Sequence, residues 1–102
     1  MSDAQKAQIM RILLCNQENS LEILNLPLSF TLDDVKKQHR TLSLLTHPDK
    51  VTSDLKEQAK LAESALHAAR DDLLEHYDLW RQRIAEAENN VQIEQSTKLT
   101  QL

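Results

Sequence analysis

Apolar residues recur along the chain at intervals of three and four, the spacing of helices with one buried face. Four helical segments are expected on that pattern. The first runs from about Asp3 to Cys15, capped by Ser2 or Asp3, with Ala7, Met10 and Leu14 on one stripe and Leu13 beside it. The second is short, from about Ser20 to Asn25. Ser20 is placed to cap it and Leu21 and Leu24 face one way, while Asn25, which tolerates the left-handed conformation, and Pro27 end it. The third runs from Leu32 to about Thr46. Thr31 with Asp34 forms a variant capping box, and Leu32, Val35, His39, Leu42 and Thr46 make a stripe that Leu44 and Leu45 widen. Pro48 stops this helix, because a residue before proline avoids the α region. The fourth starts near Ser53 or Asp54 and carries Ala59, Ala62, Leu66, Ala69 and Leu73 on one face.

Nothing interrupts the pattern between Leu73 and Glu88, so the fourth helix continues or bends into a last one bearing Leu79, Trp80, Ile84 and Ala87. The stripe Trp80, Ile84, Ala87 is expected to pack on the preceding helices, with partner binding as the alternative. The tail from Asn89 to Leu102 is polar and weakly periodic and is expected to fray. Two long amphipathic helices, at about 32–46 and 54–75, joined by a short loop, predict an antiparallel hairpin in an all-α fold.

Composition strengthens that reading. The chain of 102 residues is about one small domain with a modest core. It contains no glycine, which the tightest β-hairpin turns favour, and is rich in good helix formers. A net charge of −4 argues against nucleic acid as a partner. The single cysteine, Cys15, cannot form an internal disulfide, which suits a reducing compartment. The apolar run Ile9 to Leu14 is too short for a membrane span and holds Arg11, and the polar residues before it make a poor signal sequence. The chain therefore reads as soluble and intracellular. His39, His67, His76 and Cys15 lack tight ligand spacing, so neither metal nor cofactor is expected. A glycine-rich phosphate loop and a nucleophile with a recognisable base are both missing, so the chain does not read as an enzyme.

The loop between the long helices is His47-Pro48-Asp49-Lys50. The helix before it reads Val35-Lys36-Lys37, then Arg40, Leu42 and Ser43; Leu24-Asn25-Leu26 precedes that helix, and Leu66 to Leu73, with Ala69, follows the loop. This arrangement resembles the J domain of DnaJ-type co-chaperones over about Ser20 to Leu73, with most of the specificity between Leu32 and Lys50. The sequence departs from the family pattern where His39 and Arg70 stand in place of tyrosines and Thr46 in place of an aromatic, and where no phenylalanine lies near Ala62. The lost aromatic area must be replaced, and the first helix and the Trp80 region are the candidates.

The resemblance implies an organisation into an N-terminal helix (1–17), a J domain (18–80) and a helical extension (81–102). It further implies a partner, a DnaK-type seventy-kilodalton heat-shock chaperone, whose ATP hydrolysis the loop stimulates. By the same resemblance His47, Pro48 and Asp49 engage the chaperone, with Lys36, Lys37, Arg40 and Lys50 as a basic patch beside them. Without it, Asp49 reads as a helix cap or turn residue, His47 as a partner of the helix dipole, and the lysines as a solvated face in which Asp33 pairs with Lys37. The competing function classes are a J-like adaptor with weak or no ATPase stimulation, using the terminal helices for a further protein partner, and a small helical bundle unrelated to chaperones. A cytoplasmic location is expected, with the nucleus as the alternative, because Leu42 to Lys50 looks a little like splicing-associated nuclear J proteins.

Overall fold

The computed structural model describes residues 3–100, with side chains described as far as residue 89. Among these residues the fold is all-helical: α1 (Asp3–Leu14), α2 (Ser20–Ile23), α3 (Leu32–Thr46), α4 (Lys56–Glu75) and α5 (Tyr77–Thr100). Two 3-10 turns, Pro48–Lys50 and Ser53–Leu55, fill the connection between α3 and α4.

Local chemistry sets the boundaries. The α2 turn is capped by Asn19, whose side chain accepts from the Glu22 amide, and not by Ser20 as the sequence suggested. Ser20 is instead buried, and its hydroxyl donates to Asp72 Oδ2 at 2.6 Å. Asn25 closes α2 in the left-handed region at φ 53°, with Leu26 N–H donating to the Leu21 carbonyl and Asn25 N–H to that of Glu22. The guanidinium of Arg11 adds hydrogen bonds to the Glu22 and Ile23 carbonyls at 2.8 and 3.0 Å, satisfying the end of α2 from α1. Both arms of the Thr31–Asp34 capping box form at the start of α3.

The core centres on α4, against which α1, α2 and α3 pack. Its expected face is the observed one: Ala59, Ala62, Leu66, Ala69 and Leu73 are all buried. On α3, Val35, Leu42 and Thr46 are buried, His39 is half-buried, and Leu32 and Leu44 are exposed. The face of α1 differs from the expected stripe. Ile9, Ile12 and Cys15 are buried, whereas Met10 is 40% and Leu14 81% exposed. Apolar residues occupy nearly every position from Ile9 to Leu14, so two faces compete and packing on α4 selects the isoleucines.

Backbone hydrogen bonds from His76 to Asp72 and from Trp80 to His76 carry the chain from α4 into α5 through a bend at His76. The base of α5 packs back on the core. Trp80 is partly buried with its indole N–H on Asp72 Oδ2 at 2.9 Å, Ile84 is buried, and Ala87 is exposed. Asp72 thus ties α2, α4 and α5 together. The tail expected to fray is helical to Thr100, in keeping with its good helix formers and the absence of proline and glycine. Ser2 and the last two residues lie outside the described residues.

Phe30, unremarked in the sequence pattern, is among the most buried side chains. It stands one residue before the Thr31 cap, and the equally buried Val35 stands four into α3, the two positions of a hydrophobic staple. Its ring meets Tyr77 edge-on at 5.5 Å, and Arg81 lies 5.6 Å from its centroid. α1 joins the core through Ile9 and Ile12, and the start of α5 joins it through Tyr77, Trp80 and Ile84.

Candidate functional site

The loop after α3 is braced from within. His47 is extended at φ −61°, ψ 135°, as a residue before proline must be. Pro48 is buried and opens the 3-10 turn, and Val51 is buried after it, so the loop is pinned at both ends. Lys50 N–H donates to the His47 carbonyl at 2.9 Å, closing the turn. At the end of α3, Thr46 is fully buried and returns its hydroxyl to the Leu42 carbonyl at 2.8 Å. The buried Thr46 hydroxyl is therefore not left unpaired.

His47 Nδ1 accepts a hydrogen bond from the Asp49 amide at 3.1 Å. That bond requires Nδ1 to be unprotonated, which places the proton of the neutral ring on Nε2. The cap of this turn is consequently His47, and the Asp49 carboxylate is not used for it. The Asp49 side chain is 86% exposed. Among the described residues its one close polar neighbour is His47 Nδ1, 3.8 Å from Oδ2. The His47 side chain is 40% exposed. The turn thus presents an unsatisfied carboxylate and an imidazole N–H on a backbone fixed by Pro48.

Lys36, Lys37, Arg40 and Lys50 are all exposed, and among the described residues none makes an ion pair. Asp33 and Lys37, which pair in the alternative reading of this face, form no ion pair. Lys36 and Arg40 share one side of α3 and border a cleft with His39, Ser43, Leu44 and Arg70. Lys37 falls on another side, beside Asn25, Leu26, Pro27, Asp34 and Gln38. The basic patch read from the sequence is therefore divided: Lys36 and Arg40 are together, Lys37 is apart, and Lys50 sits in the turn itself. Arg70 on α4 was missed, because residues brought together by two packed helices leave no mark in the period of either one.

A larger groove of about 680 Å³ lies between the end of α1, α2 and the base of α5, with Leu14, Leu28, Trp80, Ile84 and Ala87 in its lining. Cys15 borders it. The thiol is held above its ordinary pKa, chiefly by burial and then by the nearby Glu22 carboxylate. Among the described residues no group of three or more His, Cys, Asp or Glu is arranged to hold a metal ion. No helix there is long and apolar enough to cross a membrane. Compared with family models, curated proteins and solved structures, the chain matches none.

Proposed function

We propose that the chain is a J-domain co-chaperone that binds a DnaK-type chaperone and stimulates its ATP hydrolysis through the turn at His47, Pro48 and Asp49. The observation that carries this reading is the Asp49 carboxylate, 86% exposed and left out of the turn's own capping. A carboxylate held open on a rigid turn suits charge-assisted, bidentate hydrogen bonds from an arginine. The buried Pro48 and the His47–Asp49 amide bond fix the turn before docking, which reduces the entropy lost on binding.

The hydrolytic groups belong to the partner. This chain acts by binding one arrangement of the chaperone better than another, and is an activator, not an enzyme. Lys36, Arg40 and Lys50 add favourable charge toward an acidic chaperone surface, and Lys37 contributes from the neighbouring side. The cytoplasm is the compartment that fits, with the nucleus as the alternative.

The test is single-turnover ATP hydrolysis by a DnaK-type chaperone, with the wild type and with Asp49→Asn. Stimulation that the wild type gives and the variant loses supports activation. The groove at α1, α2 and α5 favours one other reading, an adaptor that keeps the fold and binds a different protein there. No stimulation by either form, with that groove still binding a partner, selects the adaptor.

A further inference from the structure

α1 is apolar on two sides, and its own fold covers only one of them. Ile9, Ile12 and Cys15 are buried against the core. Ala7, Met10 and Leu14 recur at the spacing of a second helical face and lie exposed, Leu14 at 81% and Met10 at 40%. That face runs into the groove of about 680 Å³ between α1, α2 and the base of α5, because Leu14 belongs to both. Beside Leu14 the groove is lined by Leu28, which is 55% exposed, by the partly buried Trp80 and by the exposed Ala87. An apolar ridge and an apolar recess thus adjoin, where a monomer ordinarily shows its apolar surface scattered.

The rim of the groove carries both signs of charge, Glu22 from α2 and Arg83 and Glu88 from α5. All three are exposed, and among the described residues none makes an ion pair. Arg11, the other cation there, is committed to the Glu22 and Ile23 carbonyls. A partner bearing one sign of charge meets like charge somewhere along this rim. A patch that sets a ridge beside a recess, and acids beside a base, holds its own complement. That is the form of an isologous contact, in which residue i of one copy meets residue j of the other and j meets i.

We propose that the groove takes the exposed α1 face of a second copy of this chain, in a twofold-symmetric dimer. Met10 and Leu14 of each copy enter the groove of the other, and Arg83 of each meets the acids of the other at Glu22 or Glu88. The pairing leaves the turn after α3 free. α4 has 20 residues and so is about 30 Å long, with the turn at its start and the groove beside α5 at its far end. The dimer therefore carries two outward turns, and its formation is independent of what those turns bind.

The experiment is sedimentation equilibrium of the full chain from about 1 μM to about 1 mM, the range of small, non-obligate interfaces. Wild type is expected to pass from monomer to dimer within it. Leu14→Glu alters a side chain already in solvent, so it is expected to keep the circular dichroism spectrum and to raise the dissociation constant at least about tenfold. Should that variant change the spectrum, Met10→Glu supplies the same comparison. Arg83→Glu, and separately Glu22→Arg with Glu88→Arg, are each expected to associate less. An equimolar mixture of the two is expected to dimerise again, because opposite signs then face each other across the contact. A wild type that stays monomeric throughout, including one that binds a different protein in the groove, overturns the proposal. So does a dimer that the ridge variant leaves intact, or a mixture of charge variants that associates no better than either alone.

Discussion

Replacing Phe30 with alanine removes the one aromatic ring that joins the loop before α3 to the base of α5. Phe30 is 1% exposed, its ring lies edge-on to Tyr77, and Arg81 both faces that ring and donates to the Leu28 carbonyl at 2.5 Å. Deleting a buried phenylalanine costs about 3–5 kcal/mol. The aromatic pair accounts for about 0.5–1.5 kcal/mol of such a loss. Small domains have only about 5–15 kcal/mol of stability, so a large part of it is at stake. At roughly 4–8 °C per kcal/mol for a chain of this size, the melting midpoint falls by about 12–40 °C. The assay is thermal and urea unfolding followed by far-ultraviolet circular dichroism and by Trp80 fluorescence. Tyr77→Leu and the double variant complete a cycle in which a coupling of about 0.5–1.5 kcal/mol is expected. A loss below about 1 kcal/mol for Phe30→Ala, or no coupling, refutes the claim that this ring fastens the loop before α3 to the base of α5.

Other consequences are open to direct measurement. Asn25 holds the left-handed end of α2, so Asn25→Ala is expected to cost about 1 kcal/mol by urea unfolding while Asn25→Gly is tolerated; equal losses in both would contradict the helix-end account. Because His39 titrates below its unfolded value, the unfolded chain binds more protons in that window. Stability from this group is intact above about pH 6.5 and falls as pH drops through the folded pKa, and His39→Phe removes that slope if it folds. The raised pKa and burial of Cys15 predict slow alkylation by iodoacetamide at neutral pH in the folded chain and rapid alkylation in urea; equal rates would place the thiol outside the core. Asp49→Asn is expected to leave the melting midpoint unchanged, since the side chain is 86% exposed, and, on the proposed function, to weaken binding to a DnaK-type chaperone by about 1.5–3 kcal/mol, roughly ten- to hundredfold, in a titration calorimeter.

Where one face of a helix is plainly more apolar than the rest, the sequence could be read directly. The α4 stripe from Ala59 to Leu73, the Thr31–Asp34 cap, the Asn25 helix end and the stop before Pro48 all follow from local rules that need no tertiary partner. The buried face of α1 is not legible in its spacing because that helix is apolar on two sides, and only packing on α4 chooses Ile9 and Ile12 over Met10 and Leu14. Ser20 has the type and position of a cap, yet its pairing with Asp72 brings in α4, which local spacing does not encode. Phe30 was legible in principle, since an apolar residue before a capping threonine, with Val35 beyond it, has the form of a staple. In the candidate site the turn was visible as a motif, and its bracing by the His47–Asp49 amide bond was not. The meeting of Lys36, Arg40 and Arg70 around His39 depends on how α3 and α4 are rotated against each other, which neither helix specifies alone.

The central claim is that the turn after α3 is what a chaperone grasps. Amide NMR spectra of the labelled chain, titrated with the ATPase domain of a DnaK-type chaperone, test it most directly. The account predicts the largest changes at His47, Asp49 and Lys50, with further changes along Lys36, Lys37 and Arg40. Changes confined to α1, α2 and the base of α5, with the turn silent, would contradict it.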